Sequence, residues 1–246
     1  MRISGYIVKC VREYFRQKKK VRVCSAVIVA AGNSTRMGED KITKLLGDLP
    51  VLVRTLRAFE DCDAIDEIVV VTRPDRIEEL AGLCRQYELS KVSKVVSGGA
   101  TRVESSLAGV MAVREDATLI AIHDGARPFV TPELIRRTVE AAHIYSAAAP
   151  VVKSTDTLKA LDECGNVVGT VDRETTARVQ TPQVFDADLI KGALSKAVRK
   201  NLPLTDDCSA VEALGVRVFA VEGEEDNIKL TTPRDFLIAE TIMNKG

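Results

Sequence analysis

Along the chain, short runs of apolar and β-branched residues alternate with longer segments of helical periodicity. CSAVIVA (24–30), DEIVVVT (66–72), KVSKVVS (91–97), TLIAIH (118–123) and AAAPVV (147–152) have the length and composition of strands. VLVRTLRAFED after Pro50, RIEELAGLCRQYEL after Pro74 and TRVESSLAGVMAVRED after Gly99 place apolar residues at helical spacing. Apolar strands separated by helices predict an α/β fold, doubly wound around a mostly parallel sheet, because each right-handed crossover lays its helix across one face. In such sheets ligands bind beyond the carboxyl ends of the strands, so the loops after 30, 72, 97 and 123 are expected to share one rim.

The pattern changes at 153–176, KSTDTLKALDECGNVVGTVDRETT, where polar and apolar residues alternate around a Gly165 and Asn166 turn. This predicts a β-hairpin rather than another crossover. A hairpin protruding from a compact body leaves apolar side chains without cover unless a second copy supplies it, so a dimerisation arm is expected; the alternative is a hairpin folded back on its own domain. Beyond it, FDADLIKGALSKAVRK and DDCSAVEALG have helical patterns, VRVFAVEG is expected as an edge strand running antiparallel, and TPRDFLIAETIMNK closes the chain as a helix opened by Thr232, Pro233 and Asp235.

Length and composition narrow the class. The 246 residues suit a single α/β domain over 23–246, expected to be monofunctional, preceded by an appendage at 1–22 with eight Lys and Arg against the single acid Glu13. That segment lacks the apolar core and cleavage site of a signal peptide; it is expected as a loosely docked helix or a basic amphipathic one. No apolar run reaches the length of a membrane span. The six cysteines are irregularly spaced, with no CxxC pair, which fits reduced thiols in a cytoplasm. Basic and acidic side chains balance at 35 each, giving no overall field for nucleic acid. Any anion must be gripped locally.

Four segments on the expected rim carry candidate chemistry. In AAGNSTRMGEDK, Ala30, Ala31 and Gly32 leave the backbone bare for a phosphate or base, and Arg36 and Lys41 follow within ten residues of the glycine. The segment matches neither GxxxxGK[ST] nor GxGxxG, so a triphosphate loop and a glycine turn with two solvated cations both remain open, and hydride chemistry has no support. In SGGATRVESS, Gly98 and Gly99 permit close approach and Thr101 can cap a helix carrying Arg102 and Ser105, or the segment is a plain strand-to-helix turn. IHDGARPF sets Asp124 just after a strand, where a carboxylate can hold Mg2+, with Arg127 placed to pair with it or with another acid; His123 is either a polar group facing the ligand or, the favoured reading, a hydrogen-bonded structural histidine. In EEDNIKLTTP, Asp226 and Lys229 can present a carboxylate to a hydroxyl and an ammonium to a phosphate.

Taken in order, AAGNSTRMG, HDGARPFV, STDTLK, TVDR, TPQVF, TDDCSA and EEDNIK over residues 24–244 resemble the cytidylyltransferases that make 4-diphosphocytidyl-2-C-methyl-D-erythritol in the non-mevalonate isoprenoid pathway. The resemblance implies a nucleotidyltransferase fold and transfer of CMP from CTP to 2-C-methyl-D-erythritol 4-phosphate, with Mg2+ or another divalent cation. It further implies that Ala30, Ala31, Gly32, Gly99, Arg102 and Ser105 contact CTP, and that Asp124 holds the metal or a substrate hydroxyl. Arg36 and a following lysine would stabilise the transition state. The loop is about two residues shorter than the family pattern: Lys41 keeps its distance to Gly47, Lys44 better keeps its distance from Gly32, and Lys41 is the favoured of the two. Thr157 and Arg173 on the arm would reach the partner subunit's site, and Asp226 and Lys229 would complete that pocket. Ribitol-5-phosphate cytidylyltransferases share the fold and first loop, but TDTLK, TVDR and DNIK favour methylerythritol phosphate. A non-catalytic nucleotide-binding module is disfavoured by the charges retained.

Overall fold

The computed structural model describes residues 22–32 and 40–244. The expected appendage at 1–22 therefore lies almost wholly outside the described residues, as does Arg36.

Chain order explains the layers. Strand β1 (Cys24–Val29) runs into the first loop, and after a small hairpin, β2 (Leu45–Leu46) and β3 (Leu49–Pro50), helix α1 (Val51–Glu60) returns the chain to β4 (Glu67–Thr72). A 3-10 turn (Pro74–Arg76) leads to α2 (Ile77–Gln86) and β5 (Val92–Ser97); α3 (Arg102–Ala112), β6 (Leu119–Asp124), α4 (Pro132–Tyr145) and β7 (Ala147–Lys153) follow. β6, β1, β4 and β5 lie side by side and parallel.

The far side of the sheet differs from expectation in two ways. Gln183–Asp186, β11, is a strand with no prior signal in the apolar pattern, and it inserts antiparallel between β6 and β7. The expected antiparallel edge strand, β12 (Phe219–Glu222), instead runs parallel to β7. Polar and apolar alternation at an edge is the same in either direction, so it carried no information on polarity. β10 (Ala177–Val179) pairs with β7 further along the same side as β11, because Ala148 pairs with both β11 and β12 while Val151 pairs with both β10 and β12.

Side chains alternate across the pleat and load both faces. Ile28, Ile68, Val70 and Ala121 pack against Leu56 and Phe59 of α1, Leu80 of α2 and Leu134 of α4. Val27, Val69, Val71 and Ile122 pack on the other face against Val110 of α3 and against Ile190 and Leu194 of α5 (Ala187–Lys200). Close approach of α3 depends on Gly109, where an added Cβ would lie 2.7 Å from Val71 Cγ2. Each fully buried large aliphatic or aromatic side chain contributes roughly 1.5–3 kcal/mol by leaving water, so both faces are strongly committed.

Helix ends match their sequence signals. Thr101 and Glu104 form a reciprocal capping box on α3, and Thr232 with Asp235 forms another on α7 (Pro233–Met243). α1 has no side-chain cap; its first amides, from Val51 and Leu52, donate to the carbonyls of Lys44 and Ile42 at 3.0 and 2.9 Å. The segment just after the first loop is thereby bonded to the start of α1. Gly47 turns the β2–β3 hairpin at φ 63°, a conformation that favours glycine.

The expected hairpin forms. β8 (Lys159–Leu161) and β9 (Val167–Thr170) make a separate two-stranded sheet off the main one, closed at Gly165. Leu161, Val167 and Val168 are each more than 60 % exposed in the single chain.

Candidate active site

The parallel strands deliver their following loops to one end of the sheet, where a cleft of about 530 Å³ opens. Its walls are Ala30, Ala31 and Gly32 after β1, Arg73 to Asp75 after β4, Gly99 to Arg102 after β5, Asp124 at the end of β6, and Lys41 and Lys229 from across. An added Cβ at Gly32 would meet nothing within 4 Å, so the backbone there faces open space. Ser105, one turn into α3, also lines the cleft, with its hydroxyl donating to the Thr101 carbonyl at 2.9 Å.

Asp124 is the electrostatic centre. Lys229 Nζ lies 3.0 Å and Arg127 Nε 3.3 Å from its Oδ2, and Arg102 Nη2 lies 3.8 Å from its Oδ1. Burial alone would raise this carboxyl, but Lys229, Arg102 and Arg127 outweigh it and hold it well below the usual carboxylate range. Its charge is therefore permanent near neutral pH. Arg102 also donates to Asp207 Oδ2 at 2.7 Å, and Asp207, at the start of α6 (Asp207–Glu212), is fully buried. Burial pushes the Asp207 carboxyl up even against the pull of Arg102.

Behind Asp124 a buried polar network fixes the loop that carries Lys229. His123 is fully buried between Thr181 Oγ1, 2.9 Å from its Nδ1, and the Arg127 carbonyl, 3.4 Å from its Nε2. Burial pushes its pKa down to about 3, so the ring is neutral. Arg127 Nη1 donates to the Asn227 carbonyl at 2.8 Å, and Asn227 Nδ2 donates to the Thr181 carbonyl at 2.9 Å. His123 is thus a buried, hydrogen-bonded structural histidine and does not line the cleft.

Of the expected site residues, Ala30, Ala31, Gly32, Lys41, Gly99, Arg102, Ser105, Asp124 and Lys229 come together at the cleft. Lys41 Nζ donates to the Leu230 carbonyl at 3.0 Å, whereas Lys44 Nζ lies over the Phe236 ring, 4.9 Å from its centroid. Asp226 is exposed and does not line the cleft; Thr157 and Arg173 are exposed on the arm and do not line it either. Arg73 and Asp75 line it without having been expected there, and the support that Asp207 gives Arg102 from behind the wall was not expected either. Asp207 sits within TDDCSA, a motif that marked the resemblance but suggested no partner.

A family profile described as 2-C-methyl-D-erythritol 4-phosphate cytidylyltransferase matches residues 24–245. The chain belongs to this cytidylyltransferase family. A family protein of that description from Halalkalibacterium halodurans is 45% identical over 221 residues, covering 89% of this chain and 96% of the relative. Another, from Caldanaerobacter subterraneus subsp. tengcongensis, is 42% identical over 224 residues, covering 90% and 99%. The crystal structure of 4-diphosphocytidyl-2C-methyl-D-erythritol synthase from Anaerococcus prevotii superposes with a TM-score of 0.82 at 32% identity, covering 91% of this chain and 96% of that one. Family membership makes the chain a nucleotidyltransferase, and the cleft its candidate catalytic centre. Among the described residues no helix is long and apolar enough to cross a membrane.

Proposed function

We propose that the cleft transfers CMP from CTP to 2-C-methyl-D-erythritol 4-phosphate, giving 4-diphosphocytidyl-2-C-methyl-D-erythritol and pyrophosphate. The observation that carries this reading is the convergence, in one cleft, of the bare backbone at 30–32, the cations Lys41, Arg102 and Lys229, and the ionised Asp124. A phosphate oxygen of the sugar phosphate attacks the α-phosphorus; the new P–O bond forms as the bond to the bridging oxygen breaks, and pyrophosphate leaves with that electron pair. The nucleophile is already an anion, so no strong base is needed. The difficulty is bringing two anions together, and preorganised cations answer it.

In this reading Ala30, Ala31, Gly32, Gly99, Arg102 and Ser105 hold CTP, and Lys41 with Arg36 stabilises the charge that develops around the α-phosphate and the leaving pyrophosphate. Lys229, fixed by Asp124, takes the attacking phosphate, and Asp226, exposed outside the cleft wall in the single chain, is assigned to a hydroxyl of the same substrate. Among the described residues no group of three or more His, Cys, Asp or Glu side chains is placed to hold a metal ion. One buried, ionised carboxylate at the cleft fits Mg2+ nonetheless, because that ion is commonly held by one or two carboxylates together with substrate phosphates. Asp124 would hold it or a substrate hydroxyl, and the ion would neutralise triphosphate charge.

The arm gives the reading its quaternary part. Apolar side chains of Leu161, Val167 and Val168 project from the hairpin, and a second copy would cover them. Arg173 and Thr157 then act in the partner subunit's cleft, and the active form is a cytoplasmic homodimer. Pyrophosphate release from CTP, measured with Mg2+ and each sugar phosphate in turn, tests the chemistry: methylerythritol phosphate should turn over, and turnover with ribitol 5-phosphate alone would reject it.

A further inference from the structure

The shortened first loop must still deliver Lys41 to the cleft, and a buried arginine from a different crossover is bonded to the residue before it. Arg76 ends the 3-10 turn after β4, the same turn whose Arg73, Pro74 and Asp75 line the cleft. Its side chain is only 10% exposed. It forms an ion pair with Asp40, donates to Thr43 Oγ1 at 3.3 Å, and is held from behind by Glu79, whose carboxylate accepts from Nε at 2.8 Å and from Nη2 at 2.6 Å. Asp40 in turn accepts from the Ile42 amide at 2.9 Å. The residues on either side of Lys41 are therefore tied down: Asp40 by Arg76, and Ile42 by Asp40 and by the Leu52 amide of α1.

We infer that the Arg76–Asp40 pair is a clasp that sets the position of Lys41, making Arg76 a positioning residue for nucleotidyl transfer. The inference rests on the proposed role of Lys41 at the phosphates. The physical argument is one of degrees of freedom. Lysine carries a long flexible stem, and its ammonium stabilises a transition state only where the stem's root is fixed. Here the root lies at the end of a loop, and backbone bonds from α1 fix only its C-terminal side. The clasp fixes the other side. Without Arg76, the carboxylates of Asp40 and Glu79 would also lose their shared cation beside a cleft that binds anions.

A bland alternative is that Arg76 only staples the start of α2, and kinetics separate the two. kcat and KM for CTP are to be measured for Lys41→Ala, Arg76→Met, Arg76→Lys and Asp40→Asn, and for Lys41→Ala combined with Arg76→Met or with Asp40→Asn, alongside thermal melts. Arg76→Met and Asp40→Asn should each lower kcat by about tenfold, with a smaller change in KM, as a displaced cation would. Arg76→Lys should recover part of the loss. In the Lys41→Ala background neither change should lower kcat further. Equal losses in both backgrounds, or an Asp40→Asn enzyme with the parent kcat, would overturn the clasp. Should Arg76→Met fail to fold, the Asp40→Asn pair of measurements decides alone. A Lys41→Ala enzyme as active as the parent would instead reject the role assigned to Lys41, and the clasp with it.

Discussion

Lys229 Nζ sits 3.0 Å from Asp124 Oδ2, joining the end of a central strand to the loop that precedes the last helix. The contact does two things: it offsets the cost of a buried carboxylate, and it holds an ammonium at the cleft wall. Lys229→Ala should therefore lower kcat by about 10²–10³-fold while leaving the protein folded, because Arg102 and Arg127 still face Asp124. Single-turnover rates with saturating CTP would check this; a variant within a few-fold of the parent would remove Lys229 from the reaction.

Charge at Asp124 has a defined pH window. Its folded pKa lies below the ordinary carboxylate value of 3.8, so the ion pairs are complete above that value and are lost only as pH falls beneath it. Any acid limb in the activity profile above pH 5 should then belong to the substrate phosphates and not to Asp124. A profile whose acid limb is unchanged when the sugar phosphate is replaced by an analogue of different pKa would contradict this.

His123 predicts a separate pH effect on stability. Its folded pKa is about 3, while an unfolded histidine titrates near 6.5. Below about 6.5 the unfolded chain takes up a proton that the folded one refuses, so stability falls as pH drops from there toward 3. Between pH 7 and pH 5 the loss from this residue is about 2 kcal/mol. Thermal melts over this range should show it, and His123→Gln, though less stable at neutral pH, should melt with a flatter pH dependence. Parallel curves would show that the histidine is not the cause.

At the opposite end of the strands Glu67 is a purely structural group. Its carboxylate accepts from Ser25 Oγ and Ser93 Oγ, each at 2.7 Å, and from the Arg114 amide at 2.8 Å, tying β1, β4 and β5 to the turn after α3. Glu67→Ala strands these donors and should cost about 2–4 kcal/mol in chemical denaturation. Turnover per folded molecule should stay at the parent value, since the cleft lies at the other end of the sheet.

How far these relationships were legible in the sequence depends on their range. β1, β4 and β6 announce themselves because strands buried on both faces are apolar at nearly every position, the edge strand β5 does so by its valines alone, and Thr101 with Glu104 announces the start of α3. The rim follows from the parallel topology, which by itself sets Asp124 and Gly99 beside Ala30 to Gly32. β11 was not legible: Gln183, Val184, Phe185 and Asp186 are too few to show a period, and what makes them a strand is the gap between β6 and β7. Long-range partners were equally hidden. Nothing local to Asp207 points to Arg102, 105 residues earlier, or local to Arg76 points to Asp40.

The arm makes the last prediction. If Arg173 acts in the partner's cleft while Lys41 acts in its own, each site needs residues from both chains. Arg173→Ala and Lys41→Ala should each be nearly inactive as homodimers. A mixed dimer of the two variants has one site that lacks both groups and one that lacks neither. Refolding the variants together at equal concentration forms mixed dimers in about half of the population, and one intact site in each gives roughly a quarter of the parent activity. Sizing chromatography should first show a dimer for the parent and a monomer for Val168→Glu, which places a charge on the exposed face of the hairpin. Recovery no greater than the sum of the two inactive variants would mean that Arg173 serves its own chain or neither.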